Sequence, residues 1–128
     1  MKDIEGRVFG GAIDKIAGDA APLRALTGWR RYVRTVSEAV KKVAPEVRVY
    51  VAGGAAEDRL TIESDIDVLV VLPHKVDLEE ATELHAKILG EVERLKMPPY
   101  APVELHIISD RELKEYARKG KVIPADKI

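Results

Sequence analysis

The chain has 128 residues, the size of one ordinary domain, and 46% of them are apolar while 34% are charged, which excludes a wholly disordered polypeptide. Its 21 basic and 22 acidic side chains leave a net charge of −1, so no global field draws it to nucleic acid or to anionic lipid. Cys is absent, which removes disulfides, thiolate nucleophiles and Cys-ligated metal sites together.

No apolar run approaches the length of a membrane span and no leader pattern opens the sequence, so a cytoplasmic protein with no membrane partner is expected. Asn and Gln are missing altogether. With abundant Glu, Lys and Arg, that is the bias of a protein selected at high temperature. It also leaves no side-chain amide to read an adenine edge, so a nucleic-acid partner is not expected.

In chain order, residues 1–28 carry a weak helical pattern interrupted by Gly10, Gly11 and Gly18, and an N-terminal helical extension is expected there. From Trp29 the periodicity sharpens. Trp29, Tyr32, Val33, Val36, Ala39, Val40 and Val43 form one apolar helix face, stopped by Pro45, opposite Arg30, Arg31, Arg34, Lys41 and Lys42. Residues 47–52 alternate and are β-branched, which predicts a strand, and the Gly53-Gly54 pair predicts a turn after it. Residues 66–72 are nearly all apolar, as in a central strand buried on both faces.

Asp77 with Glu80 reads as a capping box for a long helix whose stripe is Leu78, Ala81, Leu84, Ile88, Val92 and Leu95, ended by Met97-Pro98-Pro99. Residues 102–108 predict a third strand. Ser109 with Glu112 predicts a second capping box, opening a short helix that stops near Gly120. The expected fold class is α+β, a mixed α/β arrangement in which a small mixed sheet of three to four strands is covered by helices, as a single domain over 1–128.

Carboxylates are rare inside strands, because burying an ion without a partner costs several kcal/mol, of order 2 or more. Yet Asp65 and Asp67 stand at the start of the most apolar strand, two residues apart and therefore on one face. Glu104 interrupts the next strand between Val103 and Leu105. Such a cluster calls for hard divalent cations, and Mg²⁺ takes its remaining ligands from phosphates, which points to a nucleoside triphosphate. The Gly53-Gly54 pair, ten residues before Asp65, lets backbone N–H groups approach a phosphate closely.

The stretch from Val49 to Leu72 resembles the signature of the minimal nucleotidyltransferases of the DNA polymerase β superfamily: an apolar strand, a glycine pair, ten residues, then Ser-Asp-Ile-Asp and an apolar run. Gly53, Gly54, Ser64, Asp65, Ile66 and Asp67 fall on it in register, and Glu104 sits where the third acidic residue is expected. The resemblance implies a polymerase β-like nucleotidyltransferase fold and in-line transfer of a nucleoside monophosphate, with ATP foremost as donor, to a hydroxyl acceptor. Asp65, Asp67 and Glu104 would be both catalytic residues and metal ligands, holding two Mg²⁺ ions roughly 3.5–4 Å apart. Gly53, Gly54, Ser64 and Arg59 would bind the nucleotide.

Members of this size commonly act beside a small all-helical protein partner in toxin–antitoxin pairs, and the resemblance implies that partner or a second copy of the chain as the other half of the acceptor site. Where many members carry Ser and then a basic residue, this chain reads Gly54-Ala55-Ala56-Glu57. That departure sustains an alternative reading, a nucleotide- or protein-binding module without turnover. Arg59 and Thr61 are the residues placed to replace the missing cation and hydroxyl.

His106, two residues after Glu104, shares its strand face and reads equally as a packed side chain or a substrate contact. His85 reads as structural and His74 as a loop residue with no zinc partners nearby, Trp29 and Tyr32 as core, and the basic helix face as solvated. The basic tail of Arg118, Lys119 and Lys121 is a lesser candidate for reaching the triphosphate.

Overall fold

The computed structural model describes residues 27–61 and 64–128. The expected N-terminal extension lies outside them except for Thr27 and Gly28. Helix α1 (Trp29–Val43) leads into strand β1 (Arg48–Ala52), a single helical turn α2 (Gly53–Ala56) and strand β2 (Ile66–Leu72). Helix α3 (Leu78–Arg94), strand β3 (Val103–Ser109), helix α4 (Asp110–Lys119), a two-residue strand β4 (Ile123–Pro124) and a 3₁₀ turn (Ala125–Lys127) complete the order.

The sheet runs β3-β2-β1-β4. β1 is antiparallel to β2 and to β4, whereas β2 and β3 are parallel. Parallel neighbours cannot be joined by a tight turn, and α3 makes the crossover between them. This is the mixed sheet covered by helices that the alternation of patterns predicts.

Strand periodicity sorts the side chains of the sheet onto two faces. One face presents Val51, Ile66, Val68, Val70, Leu72, Val103, Leu105 and Ile107 to the main core, where Val33, Val36 and Val40 of α1 and Ile88 and Val92 of α3 meet them. The other face has a smaller cluster of Ala52, Leu69, Val71 and Ile108, with Leu113 and Tyr116 of α4 packed against it. Trp29 and Tyr32 are core residues, as read, and the cations of α1 are exposed.

Several sequence expectations change in detail. The glycine pair forms the turn of helix α2 rather than a plain reversal. Strands predicted at 47–52 and 102–108 occupy 48–52 and 103–109. Leu78, expected in the buried stripe of α3, is 65% exposed, because it is the first residue of the helix and lies outside the sheet's cover. The Ser109–Glu112 box is complete. At Asp77 only half forms: Asp77 accepts from the Glu80 N–H, while the Glu80 carboxylate is taken by His74 Nε2 at 2.8 Å. Strand β4 was not predicted, since two residues of no marked pattern are set by pairing with Tyr50 and Val51.

Helix α3 also ends before its prolines. The Met97 N–H reaches the Val92 carbonyl and the Lys96 N–H the Glu93 carbonyl, with Lys96 left-handed at φ 64°. That is a Schellman closure, and buried Met97 against Val92 supplies its apolar contact. A left-handed conformation costs a non-glycine residue about 1–2 kcal/mol, of which glycine recovers part against its looser unfolded chain. Lys96→Gly should therefore raise stability by up to about 1 kcal/mol. A denaturant midpoint below that of the parent would contradict it.

Candidate active site

The face of the sheet beneath α4 carries the charged residues. Parallel register sets Asp67 opposite Glu104 and Leu69 opposite His106, and antiparallel register sets Asp67 opposite Ala52. Asp67 thus sits in the middle of three adjacent strands. Ligand atoms of Asp67, Glu104 and His106 all lie within 4.8 Å of one another. His106 Nε2 is 3.1 Å from Asp67 Oδ1 and 3.4 Å from Glu104 Oε1. The imidazole is the deeper group, at 10% exposure against about 30% for each carboxylate.

Tyr116 on α4 fixes the other side of the ring, its hydroxyl 3.4 Å from His106 Nδ1 and the rings edge to face. An ionised Asp67 can only accept, so Nε2 carries a proton and donates to it, with the Tyr116 hydroxyl at Nδ1. The chain Tyr116–His106–Asp67 therefore orients one carboxylate through a helix on the sheet, the kind of outer support that metal-binding carboxylates require. Sequence reasoning weighed His106 evenly. The signal that singles it out is its i+2 spacing from Glu104, which settles the matter only once β3 is known to lie beside β2.

The second oxygen of Asp67 explains the first glycine. A Cβ on Gly53, at φ 70°, would stand 2.5 Å from Asp67 Oδ2, so any side chain there displaces the carboxylate. Gly54 is different: its Cβ would meet the Arg59 backbone at 3.5 Å, an ordinary contact, and its φ is not left-handed. A serine would fit at this position.

Burial, first of all, holds the Glu104 carboxyl above the usual carboxylate range, opposed by the His106 charge and reinforced by a hydrogen bond that protonated Glu104 donates to Asp67 and by the charges of Asp67 and Asp65. Asp65 precedes β2 and acts on Glu104 through its charge, but its oxygens are not part of the tight group of Asp67, Glu104 and His106. The structure brings the expected carboxylates to one end of the sheet and adds a histidine.

Two other expected residues are engaged elsewhere. Ser64 forms a local turn, its hydroxyl accepting from the Thr61 N–H at 3.0 Å. Arg59 is bound by Glu57. His74 pairs with Glu80, and His85 is half-buried with Nε2 making no hydrogen bond among the described residues, its pKa lowered by that burial. A cleft of about 520 Å³ opens between the loop after β2 and the start of α4, lined by His74, Lys75, Ser109 and Arg111. It lies at the opposite ends of β2 and β3 from the carboxylates. Concavity and charge disagree here, and the buried carboxylates are the better guide, since a carboxyl buried among like charges needs a compensating cation.

A glycine turn, paired carboxylates on adjacent strands and a helix-covered mixed sheet thus come together at one end of β2 and β3. The sequence profile of the family described as "Nucleotidyltransferase domain" matches residues 33–123, well over half of the chain. The protein belongs to that family and is a nucleotidyltransferase enzyme. Among solved structures, the chain is similar to one from Sulfolobus solfataricus assigned as a nucleotidyltransferase, at 16% identity and a TM-score of 0.57, over 81% of this chain and 85% of that one. That likeness shows a shared fold. No curated protein sequence matches the chain significantly. Among the described residues no helix is long and apolar enough to cross a membrane.

Two outcomes follow from the local geometry. Gly53→Ala should disrupt Asp67 and lower stability by about 1–3 kcal/mol, whereas Gly54→Ser should stay within about 0.5 kcal/mol of the parent. Paired denaturant titrations compare them, and equal effects at the two positions would contradict the assignment of Gly53. For Glu104, a raised pKa in the fold means that the folded state binds its proton more tightly than the unfolded chain. Stability from that group is present at low pH and lost as pH rises through the folded pKa. In chelator, Glu104→Gln should therefore melt higher than the parent at about pH 7 and near it at about pH 4.

Proposed function

We propose that this chain transfers a nucleoside monophosphate from a nucleoside triphosphate, ATP foremost, to a hydroxyl acceptor in a Mg²⁺-dependent reaction that releases pyrophosphate. The observation that carries this reading is the convergence of Asp67 and Glu104 beside a glycine turn that Asp67 itself touches. Partly exposed carboxylate oxygens at the end of a sheet are the donor set that a hard divalent cation takes, with phosphate oxygens completing its shell. Asp67 and Glu104 would hold such ions, with Asp65 at their side. Bound there, the ions would neutralise the polyphosphate and the attacking and leaving oxygens of an in-line displacement.

The protein's own groups have separate tasks. Gly53 and Gly54 open a helical turn, whose first N–H groups have no partner within the turn and would be offered to phosphate. Glu104, opposite Asp67 on β3, would help the acceptor hydroxyl lose its proton as the oxygen attacks the α-phosphorus. A new P–O bond forms there, and the bond from that phosphorus to the β-bridging oxygen breaks, so pyrophosphate leaves with the electron pair. His106 keeps Asp67 in position through Nε2, and Ser64 shapes the loop before β2. The acceptor favoured by the resemblance is a tyrosine hydroxyl on a small helical protein partner.

A second reading, a module that binds nucleotide or protein without turnover, is supported by the Gly54-Ala55-Ala56-Glu57 run, which places neither hydroxyl nor cation directly after Gly53. Calorimetric titration of ATP with and without Mg²⁺, on the parent and on Asp65→Ala/Asp67→Ala, separates the readings when combined with a pyrophosphate-release assay. Metal-dependent binding should weaken at least about tenfold in the double variant, by analogy with lost metal supports. Binding by the parent without pyrophosphate release over a panel of hydroxyl acceptors would favour the module. Absence of any binding would remove the enzymatic reading. Given the composition, both are best measured warm.

A further inference from the structure

Residues 53–59 close upon themselves. The Arg59 N–H reaches the Gly54 carbonyl at 2.7 Å and the Asp58 N–H the Ala55 carbonyl at 3.4 Å, with Asp58 left-handed at φ 58°. This is a second Schellman closure, and it directs Glu57 and Arg59 away from the apolar side of the turn. Arg59 approaches Glu57 Oε1 with Nε at 3.0 Å and with its terminal nitrogen at 2.5 Å. The other carboxylate oxygen, Oε2, accepts the backbone N–H of Lys121 at 3.1 Å, a residue 64 positions later.

The partner segment is shaped for that contact. A Cβ on Gly120 would lie 2.4 Å from Glu57 Oε2. Its backbone is extended at φ −177°, so a side chain here would meet no backbone strain and would instead push the Glu57 carboxylate aside. Immediately afterwards β4 pairs with β1, whose end leads into Gly53. The joint between α4 and β4 is thus fastened to the turn that follows β1. Hydrogen bonds from Arg59 and Lys121, and then their charges, hold the Glu57 carboxyl below the usual carboxylate range.

Building on the nucleotidyltransferase reading above, we infer that Glu57 is a positioning residue that clamps the Gly120–Lys121 step to the glycine turn, so that Arg59 and Lys121 together form the cationic side of the polyphosphate site. The cluster of Arg59, Glu57 and Lys121 keeps a net charge of +1 after the internal pairing. One of the two cations belongs to the segment after α4, which the pairing of β4 with β1 and the Lys121 N–H bring to the turn. The acidic residue after the alanines repels no phosphate, because both its oxygens are already engaged. The ligand chemistry is a nucleoside di- or triphosphate, whose additional phosphates carry the negative charge that a cationic cluster attracts.

The test is calorimetric titration of ATP, ADP and AMP with Mg²⁺ on the parent, Lys121→Ala, Glu57→Ala, Glu57→Gln, Gly120→Ala and the double variant Glu57→Ala/Gly120→Ala. Each of Lys121→Ala, Glu57→Ala and Gly120→Ala should weaken ATP binding roughly threefold to fivefold, the scale of one exposed charge contact, and leave AMP unchanged. Glu57→Gln, which retains an acceptor for the Lys121 N–H, should recover part of the loss. Because Gly120→Ala acts by expelling the same carboxylate, the double variant should bind ATP no more weakly than either single one. Mn²⁺ titrated alone should bind all variants as it binds the parent, which shows an intact carboxylate site in each. ATP affinity at the parental value in Glu57→Ala, or additive losses in the double variant, would overturn the clamp. A parent that binds no nucleotide would instead overturn the nucleotidyltransferase reading on which the clamp rests.

Discussion

Everything at the site depends on two carboxylates held opposite each other on parallel neighbouring strands. Asp67 and Glu104 share a register position, and at that distance two negative charges cannot both be comfortable in a partly buried place. The surrounding structure manages this conflict. His106 is placed beneath them with a proton on Nε2, Tyr116 secures the ring, and Glu104 keeps its proton to a higher pH than usual. A fold selected only for stability would have apolar residues here, as it has at Leu69, Val71 and Ile108 on the same face.

That conflict also explains the local backbone. Ala52 lies across from Asp67, and the next residue passes so close to the carboxylate that only glycine fits. The two glycines, equivalent in the sequence, have separate physical duties. Gly53 makes room for the carboxylate, while Gly54 could accept a side chain without strain. Beyond them the chain must reverse quickly, and Asp58 accepts a left-handed conformation to do so. Asp is among the residues best able to adopt it.

Much of this was legible in the sequence because it is encoded by period and by exception. Apolar periodicity places α1, β2 and α3, and Ser109 with Glu112 opens α4 as a complete box. Asp65, Asp67 and Glu104 were visible as charges where strands do not tolerate them. What could not be read were the contacts between distant segments. His106 acquires its meaning from the parallel pairing of β2 with β3, Glu57 from a backbone N–H that lies 64 positions away, and β4 from a neighbour that supplies all its hydrogen-bonding context. The half-formed box at Asp77 failed for the same reason, since His74 competes for Glu80.

The two sides of the sheet are covered unequally. α1 and α3 bury valines, isoleucine and leucine into the main core, whereas α4 has no buried residue at all. Separating α4 from the sheet consequently forfeits the least hydrophobic free energy of the three long helices among the described residues. Since α4 also carries the tyrosine that steadies His106, the order of the carboxylates is tied to the element with the shallowest anchorage. Amide exchange would therefore be graded across the molecule, slowest in β2 and fastest on the helix over the site, and the rigidity of the chemistry would be set by the weakest-held layer rather than by the core.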